Sequence, residues 1–508
     1  MKYELKGNYF NGKFTQIEKD SLLTKRNIID KYSPADLNDH LWSFEVNYQQ
    51  VDAVIESSVK GFKAWRKTKL DERVNALNRL KEEFIKRKTE IANAIALETG
   101  KPLWESMTEA SALGGKVDAT INHSLKRIDD VSHDNIMPNT DGKVHFKPIG
   151  PCLVIGPFNF PCHLANGQIL NSLISGNSII FKPSEKTCYS GQLLIECFHA
   201  AGFPEGVVNL IQGDGETASR LTKDKSIKGI FFTGSVEVGR KILSVTNQDL
   251  SKLVALELGG KNTSIVHKDA NLDYVTPELI KACFMTTGQR CVSTSLIPIH
   301  SSIAENFINK FHQITKKIII DHPTNFEKEP LMGPLIDQLS VDNYLNFMGM
   351  AKREGIDEVM RGKLIQKNFE GYYVSPSIHV ASKDQMKNSH FLTSELFGPN
   401  CTFVIYDDFE EAIEIANGTE YGLAASLFSK SEDLFHQAKN EIDCGQFNWN
   451  RSTVGASSIL PFGGVKNSGN YRPAAVSFID SCVYPQSNLV HHFDESKEPE
   501  KIIGIDFD

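Results

Sequence analysis

The feature that most constrains the fold of this chain is an alternation of short apolar runs with helical stretches, which begins after Pro148. Short apolar runs bounded by turn residues predict buried strands. Their alternation with helices predicts βαβ units and a parallel sheet covered on both faces. The predicted strands are residues 152–155, 178–181, 207–211, 229–232 and 253–256, and the predicted helices are residues 190–201, 216–224 and 236–245.

A second series of the same kind starts after Gly260. Because 508 residues exceed the size at which one hydrophobic core keeps growing, more than one domain is expected. We therefore predict an α/β protein with two doubly wound parallel-sheet domains. The second series comprises strands at residues 264–267 and 296–300, helices at 272–285 and 303–317, and a similar set over 401–428, while a helical pattern precedes both series over 51–98.

Charge and composition exclude several classes of partner. The formal net charge of −8 lacks the concentrated positive field that nucleic acid binding needs. No apolar run approaches the roughly 20 residues that span a bilayer, and the first residues lack the apolar core of a signal peptide. Nine cysteines without a C-x-x-C pair predict reduced thiols and no metal site. We therefore expect a cytoplasmic protein that binds neither nucleic acid nor membrane.

The residues best suited to chemistry are a thiol and a carboxylate. Cys291 ends the sequence Gly-Gln-Arg-Cys, and Glu257 lies beside the glycines at 259 and 260. A thiolate is a strong nucleophile and a carboxylate can activate water, so the pair suggests an acyl-enzyme that is formed and then hydrolysed. Arg290 is expected to lower the pKa of its neighbour. Taken singly, Cys291 could be a buried inert cysteine and Glu257 a solvated carboxylate.

Polar residues also follow the predicted strands of the first series, at the sheet edge where ligands gather. Asn159 could donate a hydrogen bond to an oxyanion, or it could satisfy the backbone of a turn. Lys182 and Glu185 could bind ribose hydroxyls, or they could form a solvated ion pair. A carboxylate at 185 would repel a 2′-phosphate, which favours NAD over NADP.

A run of small residues leads from a predicted strand into a helix at residues 232–239. Small residues there let backbone N–H groups approach a pyrophosphate at the helix N-terminus. The segment is not G-x-G-x-x-G, because its glycines are Gly234 and Gly239, five residues apart, with no glycine between them. An ordinary strand–turn–helix would also use glycine and a cap such as Ser235.

Seven motifs occur together over roughly residues 30 to 490. In chain order they are G-P-x-N-F-P (156–161), K-P-S-E (182–185), F-T-G-S (232–235), E-L-G-G-K-N (257–262), G-Q-R-C (288–291), E-x-F-G-P (395–399) and P-F-G-G (461–464). This ordered set resembles the aldehyde dehydrogenase superfamily. The resemblance implies NAD(P)-dependent oxidation of an aldehyde to a carboxylic acid.

Site residues follow from the resemblance, position by position. It implies that Cys291 is the nucleophile, Glu257 the general base and Asn159 the oxyanion donor. It also implies a set of residues in contact with the cofactor, NAD in preference to NADP: Lys182, Glu185, Gly215, Gly234, Ser235, Gly239, Glu395 and Phe397.

The resemblance further implies three structural parts. These are an NAD-binding domain (1–127 and 149–258), a catalytic domain (259–460) and a small β extension for oligomerisation (128–148 and 475–495). A homodimer or a homotetramer is then expected. The charged tail, residues 495–508, is expected to be peripheral.

Within the superfamily, three segments are similar to the succinylglutamate semialdehyde dehydrogenases of arginine catabolism, namely residues 156–167, 447–450 and 469–474. Such a substrate carries several carboxylates, so its pocket needs cations or backbone donors. Arg451 and Arg472 are the candidate cations, with Phe462 between them, and each arginine could equally be a structural surface residue.

Two departures leave the acyl group of the substrate open. Residues 451–456 read Arg-Ser-Thr-Val-Gly-Ala where that group is expected to have Lys-Pro-Leu-Thr-Gly-Ala, and Cys162 stands where glycine is usual. A related N-acylated amino-acid semialdehyde, another semialdehyde or an aliphatic aldehyde is therefore an alternative.

Two hypotheses come from other classes. A cysteine esterase or thioesterase would use Cys291 and Glu257 without redox chemistry, but a cofactor site at Lys182 and Glu185 would then have no purpose. A non-catalytic binding protein on the same fold is the other, and the joint presence of Cys291, Glu257 and Asn159 argues against it.

Overall fold

The computed structural model describes residues 1–15, 27–493, 495–496 and 502–505. Most of the charged tail, at residues 497–501 and 506–508, lies outside the described residues. In chain order the strands are β1 (Asn8–Phe10), β2 (Lys13–Thr15), β3 (Ile28–Ser33), β4 (Asp36–Glu45), β5 (Val131–Met137), β6 (Thr140–Pro148), β7 (Cys152–Ile155), β8 (Ile179–Lys182), β9 (Val208–Leu210), β10 (Gly229–Thr233), β11 (Leu253–Glu257), β12 (Asn262–Val266), β13 (Thr294–His300), β14 (Asp357–Met360), β15 (Ser377–Ser382), β16 (Asn400–Tyr406), β17 (Tyr421–Gly422), β18 (Ala424–Phe428), β19 (Gln446–Trp449), β20 (Val465–Lys466) and β21 (Val483–His491).

The helices surround these strands. Short helical turns also occur at Thr120–Ser124, Leu125–Ile128, Met285–Gly288 and Val476–Cys482. The α-helices are α1 (Gln50–Trp65), α2 (Leu70–Thr99), α3 (Leu103–Ala119), α4 (His163–Ile174), α5 (Cys188–Ala200), α6 (Gly215–Lys223), α7 (Val236–Thr246), α8 (Leu272–Phe284), α9 (Ser301–Thr315), α10 (Gln338–Arg353), α11 (Lys383–Met386), α12 (His390–Thr393), α13 (Phe409–Asn417) and α14 (Glu432–Glu441).

The first sheet has the strand order β11-β10-β7-β8-β9-β1-β2, parallel from β11 to β9 and antiparallel beyond it. The chain moves outward from β7 through β8 and β9, then returns to place β10 on the other side of β7. A crevice therefore opens at the carboxyl ends of β7 and β10, where doubly wound sheets bind ligands.

Apolar residues cover both faces of this sheet. Cys152 and Val154 of β7 pack with α2, α4 and α5, whereas the intervening Leu153 and Ile155 pack with α1, α6 and α7. Because successive side chains of a strand point to opposite faces, a strand buried on both faces reads as a continuous apolar run. This is why the sequence revealed these strands so directly.

The second sheet has the order β14-β15-β16-β13-β12-β18-β19 and is parallel except at β14. Ile265 of β12 packs on the side of α10, α13 and α14, and Val266 packs on the side of α8 and α9. The prediction of two doubly wound parallel-sheet domains is confirmed.

The helical pattern over 51–98 is confirmed, and it belongs to two helices, because residue Lys69 is extended and separates α1 from α2. Helix α4 was missed altogether. Almost all of it is buried, from Ala165 to Ile174, and this includes its polar residues Asn166, Gln168, Asn171 and Ser172. It therefore has no exposed polar face of the kind that marks a surface helix.

A third, small sheet is antiparallel and has the order β21-β6-β5. It occupies the two segments that the resemblance assigned to a β extension, and every residue of β5 is exposed. Among the described residues, no helix is long and apolar enough to cross a membrane.

Candidate active site

The carboxyl edge of the first sheet collects most of the residues singled out from the sequence. Lys182 and Glu257 end β8 and β11, and Asn159 follows β7. Gly234 and Ser235 connect β10 to α7. The parallel register pairs Thr233 with Glu257, so these strand ends lie side by side.

Cys291 follows a tight turn, Met285–Gly288, that leads from α8 to β13. Thr286 and Thr287 both have φ of 54°, and Gly288 has φ of 68°. A Cβ at Gly288 would overlap the carbonyl of Gly398, so only glycine fits there. Left-handed backbone at a non-glycine residue costs about 1–3 kcal/mol and persists only where its surroundings fix it.

Glu105 of α3 is the main constraint on this turn. Its carboxylate accepts hydrogen bonds from the backbone N–H of Thr286 at 3.1 Å and from the hydroxyl of the same residue. The guanidinium of Arg290 donates to it at 2.5 Å and to the Thr286 hydroxyl at 2.8 Å. The position of Cys291 therefore depends on a helix that is distant in sequence.

The surroundings of Cys291 do not favour ionisation of its thiol. Burial raises its pKa well above the usual value, and the charge of Glu257 raises it further, while the N–H of Val292 acts in the opposite direction. The expectation that Arg290 lowers this pKa is wrong, because the pKa is raised and the charge of Arg290 is directed to Glu105.

Glu257 is a buried carboxylate with an environment suited to proton transfer. Neither of its oxygens meets the geometry of a hydrogen bond with a described residue. Burial raises its pKa to about 7, opposed by the nearby Cys291 thiol, the charge of Lys116 and Thr233. A general base works best when its pKa lies near the operating pH.

Asn159 is buried beside the catalytic turn. Its Oδ1 accepts from the N–H of Phe160 at 3.0 Å, and its Nδ2 donates to the carbonyl of Gln289 at 2.9 Å. These two bonds fix the plane of the amide and use one of its two N–H groups. The second N–H can donate to a ligand, as an oxyanion site requires.

A cavity of about 390 Å³ opens at Cys291. Phe462 lines this cavity and packs against Val292. Arg451 and Arg472 are exposed and are absent from its lining, so the structure does not bring them together with Cys291. The other lining residues include Trp104, Glu105, Thr108, Glu109, Ala112, Lys116, Phe160, His163, Leu164, Met285 and Arg290.

Sequence reasoning missed the contribution of α3 to this cavity. Trp104, Thr108, Ala112 and Lys116 recur every four residues, which places them on one face of a helix. That spacing was available in the sequence, but nothing in it indicated which surface the face covers.

At the carboxyl end of β8, Lys182 is buried and Glu185 is about 44% exposed. The Lys182 ammonium donates to the carbonyl of Pro183 at 3.0 Å and lies 3.8 Å from the carboxylate of Glu185. Burial lowers the pKa of Lys182, an effect that Glu185 opposes. One donor and one acceptor thus lie together at the end of this strand.

The N-termini of α6 and α7 flank the same crevice. Ser235 caps α7 by accepting from the N–H of Val238, and Gly239 packs against Leu258 at the end of β11. Gly215 begins α6, and no atom lies within 4 Å of where its Cβ would be. This open space beside two helix N-termini fits a dinucleotide.

Glu395 and Phe397 reach the site from the second domain. The Glu395 carboxylate accepts from the N–H of Gly260 at 3.0 Å, and burial raises its pKa to about 7. Phe397 has φ of 54°, and its ring meets that of Phe158 edge to face at 5.9 Å. These two residues thus contact Gly260 and Phe158, which follow strands β11 and β7 of the first sheet.

Comparisons with known proteins identify relatives of this chain. The sequence model described as the aldehyde dehydrogenase family matches residues 23–487. An N-succinylglutamate 5-semialdehyde dehydrogenase from Novosphingobium aromaticivorans is 34% identical over 90% of this chain and 94% of its own length. One from Photorhabdus laumondii is 33% identical over 99% of both chains.

Solved structures with the same fold are also known. A 1-pyrroline-5-carboxylate dehydrogenase from Thermus, solved with bound NAD, superposes with a TM-score of 0.88. It is 25% identical and covers 96% of this chain and 93% of its own.

Proposed function

Because the chain belongs to the aldehyde dehydrogenase family, we propose that it oxidises N-succinylglutamate 5-semialdehyde, or a close N-acylated analogue, with NAD as the hydride acceptor. Family membership makes it an oxidoreductase that acts on aldehydes with a nicotinamide cofactor. The observation that carries the proposal is that Cys291 lines a cavity with Glu257 and Asn159 close by: the charge of Glu257 acts on the thiol, and Asn159 donates to the carbonyl of Gln289. The choice of substrate rests on the names of the relatives.

In the first half of the proposed reaction, Cys291 attacks the aldehyde carbon. Since burial keeps the thiol protonated, Glu257 takes its proton as the C–S bond forms. The aldehyde oxygen becomes an oxyanion that accepts from the free N–H of Asn159 and from the backbone at Cys291. The bound nicotinamide supplies a hydride acceptor, and loss of hydride from this adduct leaves a thioester on Cys291.

In the second half, Glu257 acts again as a base. After its first proton has passed to solvent, the carboxylate takes a proton from water, which attacks the thioester carbonyl. The C–S bond breaks, and the thiol recovers a proton. The sum is one aldehyde, one NAD and one water converted to one carboxylic acid, one NADH and one proton.

Glu185 supports NAD over NADP. Its half-exposed carboxylate lies 3.8 Å from Lys182, where the adenosine ribose would bind, and it would repel a 2′-phosphate. We expect a higher kcat/KM with NAD than with NADP, and the reverse preference would contradict this role.

The proposal also includes the roles of the domains and the oligomeric state. Residues 1–127 and 149–258 bind the cofactor, and residues 259–460 supply Cys291. The sheet β21-β6-β5 joins copies of the chain into a dimer or tetramer in the cytoplasm, because β5 is exposed and leaves a sheet edge that pairing would cover. Native mass spectrometry that finds only monomer would refute this part.

The deciding experiment compares kcat/KM across aldehydes of similar length. We expect N-acylated semialdehydes that carry carboxylates to exceed uncharged aliphatic aldehydes by about a hundredfold or more, since each charge-assisted hydrogen bond contributes about 1.5–3 kcal/mol. Equal values for the two classes would refute the proposed substrate.

A further inference from the structure

The wall of the cavity that α3 provides carries several charges. Glu105, Glu109 and Lys116 lie on α3, and Arg290 and His163 line the cavity beside them. An ionised group in such a place must be paired or must serve a ligand, since isolated buried charge is costly. The partners of each group therefore indicate which charge is available to a substrate.

The two carboxylates of this wall are fully engaged. Glu105 holds Arg290 and the catalytic turn. Glu109 pairs with Lys101 at 2.6 Å, and both side chains are completely buried. The other oxygen of Glu109 accepts from the N–H groups of Cys162 and His163 at 3.1 and 3.0 Å. The charges of Arg290 and Lys101 are therefore neutralised by Glu105 and Glu109.

Lys116 differs from these cations. Only about 8% of it is exposed, and its ammonium donates one hydrogen bond, to the carbonyl of His163 at 2.7 Å. Within the described part of the chain, no carboxylate lies within 4.0 Å of that nitrogen. Two of its three N–H groups are therefore left for a ligand. A Cβ at Gly167 would lie 2.9 Å from the nitrogen, so α4 holds the ammonium in place.

Lys116 keeps its charge at neutral pH. Burial lowers its pKa to about 8, and Glu109 and Glu257 both act to raise it. His163 contributes no competing cation, because burial and the charge of Lys116 hold its pKa well below the usual value.

We propose that Lys116 binds a carboxylate of the substrate while the aldehyde group lies at Cys291. Both residues line the same cavity, and Lys116 is a cation there with donors to spare. This inference deepens the proposed function and rests on it, because it presumes an anionic aldehyde. It assigns to Lys116 the selectivity that the sequence suggested for Arg451 and Arg472.

The test compares an anionic semialdehyde with its uncharged carboxamide analogue, in the wild type and in Lys116→Met. We expect kcat/KM for the anionic aldehyde to fall about 10- to 100-fold, mainly through KM. Turnover of the carboxamide should change less than about threefold. Lys126→Met, at an exposed lysine, is the matched control and should leave both values unchanged.

Three outcomes would overturn the role of Lys116. Equal losses for both aldehydes would mean that Lys116 acts through Glu257 or through folding. An unchanged KM for the anion would exclude binding. If the wild type itself does not prefer the anion, the proposed substrate class fails first, and this result separates the two proposals.

The wild type supplies a measurement that does not depend on a variant. Lys116 loses its proton above pH 8, so KM for the anionic aldehyde should rise there relative to KM for the carboxamide. A ratio of the two KM values that stays flat from pH 7 to pH 9.5 would contradict the proposal.

Discussion

Two pairs of buried carboxylates lie near the reaction site on different elements, and they are held in different ways. Glu105 and Glu109 on α3 are saturated with cations and N–H donors. Glu257 has no hydrogen bond to a described residue, and Glu395 accepts one from a backbone N–H. Burial is similar in both places, so the difference lies in the partners.

The consequence is a separation of pKa values. Burial alone would raise the pKa of Glu105, but Arg290 and Lys101 hold it below its usual value. Burial raises the pKa values of Glu257 and Glu395 to about 7, because it outweighs the groups that oppose it. A saturated carboxylate stays ionised and fixes structure, whereas an unsaturated one can exchange a proton near neutral pH.

The largest expected effect concerns the nucleophile that both pairs surround. Cys291→Ala should lower aldehyde-dependent NAD reduction by at least about a thousandfold, because no other group can form the thioester. NAD binding, measured by fluorescence titration, should be nearly unchanged. Cys444→Ala is the control, since Cys444 is the other cysteine that is not fully buried. Undiminished turnover in Cys291→Ala would remove the covalent mechanism.

Glu257→Gln tests the unsaturated side of the comparison. Thioester hydrolysis should slow by about 10²- to 10⁴-fold, so that intact-protein mass spectrometry detects an acyl adduct. In the wild type, hydrolysis should accelerate as the pH rises to about 7 and then level, because the base must be deprotonated. Exposed Glu72 provides the control variant Glu72→Gln. Thioester hydrolysis at the wild-type rate in the variant would exclude Glu257 as the hydrolytic base.

Glu105→Gln tests the saturated side. Breaking a buried ion pair by removing one partner costs about 3–5 kcal/mol, so this variant should have a clearly lower Tm than the wild type at pH 7. Glu257→Gln should not lower Tm, because its carboxylate has no ion pair to lose. An equal decrease in Tm for Glu105→Gln and Glu257→Gln would contradict the proposed difference between the two carboxylates.

The smallest effect is the pH dependence of stability from Glu257. Its pKa in the folded protein, about 7, exceeds the ordinary value of 4.5, so the folded state holds the proton more tightly. Stability is therefore lost as the pH rises from 4.5 to 7, by up to about 3 kcal/mol. As the pH rises from 4.5 to 7, the free energy of unfolding of Glu257→Gln should therefore increase relative to that of the wild type. Above pH 7 the difference between the two should stay constant. A constant difference in Tm would contradict the raised pKa.

The sequence by itself determined the alternating strands and helices, and hence two doubly wound sheets. It also placed Asn159, Lys182 and Glu257 at strand ends, because parallel strands present their carboxyl ends at one edge. These inferences succeed because they depend on local patterns of burial. Helix α4 was not predicted, because its residues from Ala165 to Ile174 are all buried and it has no exposed polar face to mark it.

Only the tertiary structure decided what surrounds Cys291. Arg290 is next to Cys291 in the sequence, but the guanidinium of Arg290 pairs with Glu105, which is 185 residues away along the chain. The candidate cations Arg451 and Arg472 are exposed, while Lys116 lines the cavity. Ionic partners depend on which elements pack together, and spacing along one chain does not contain that information.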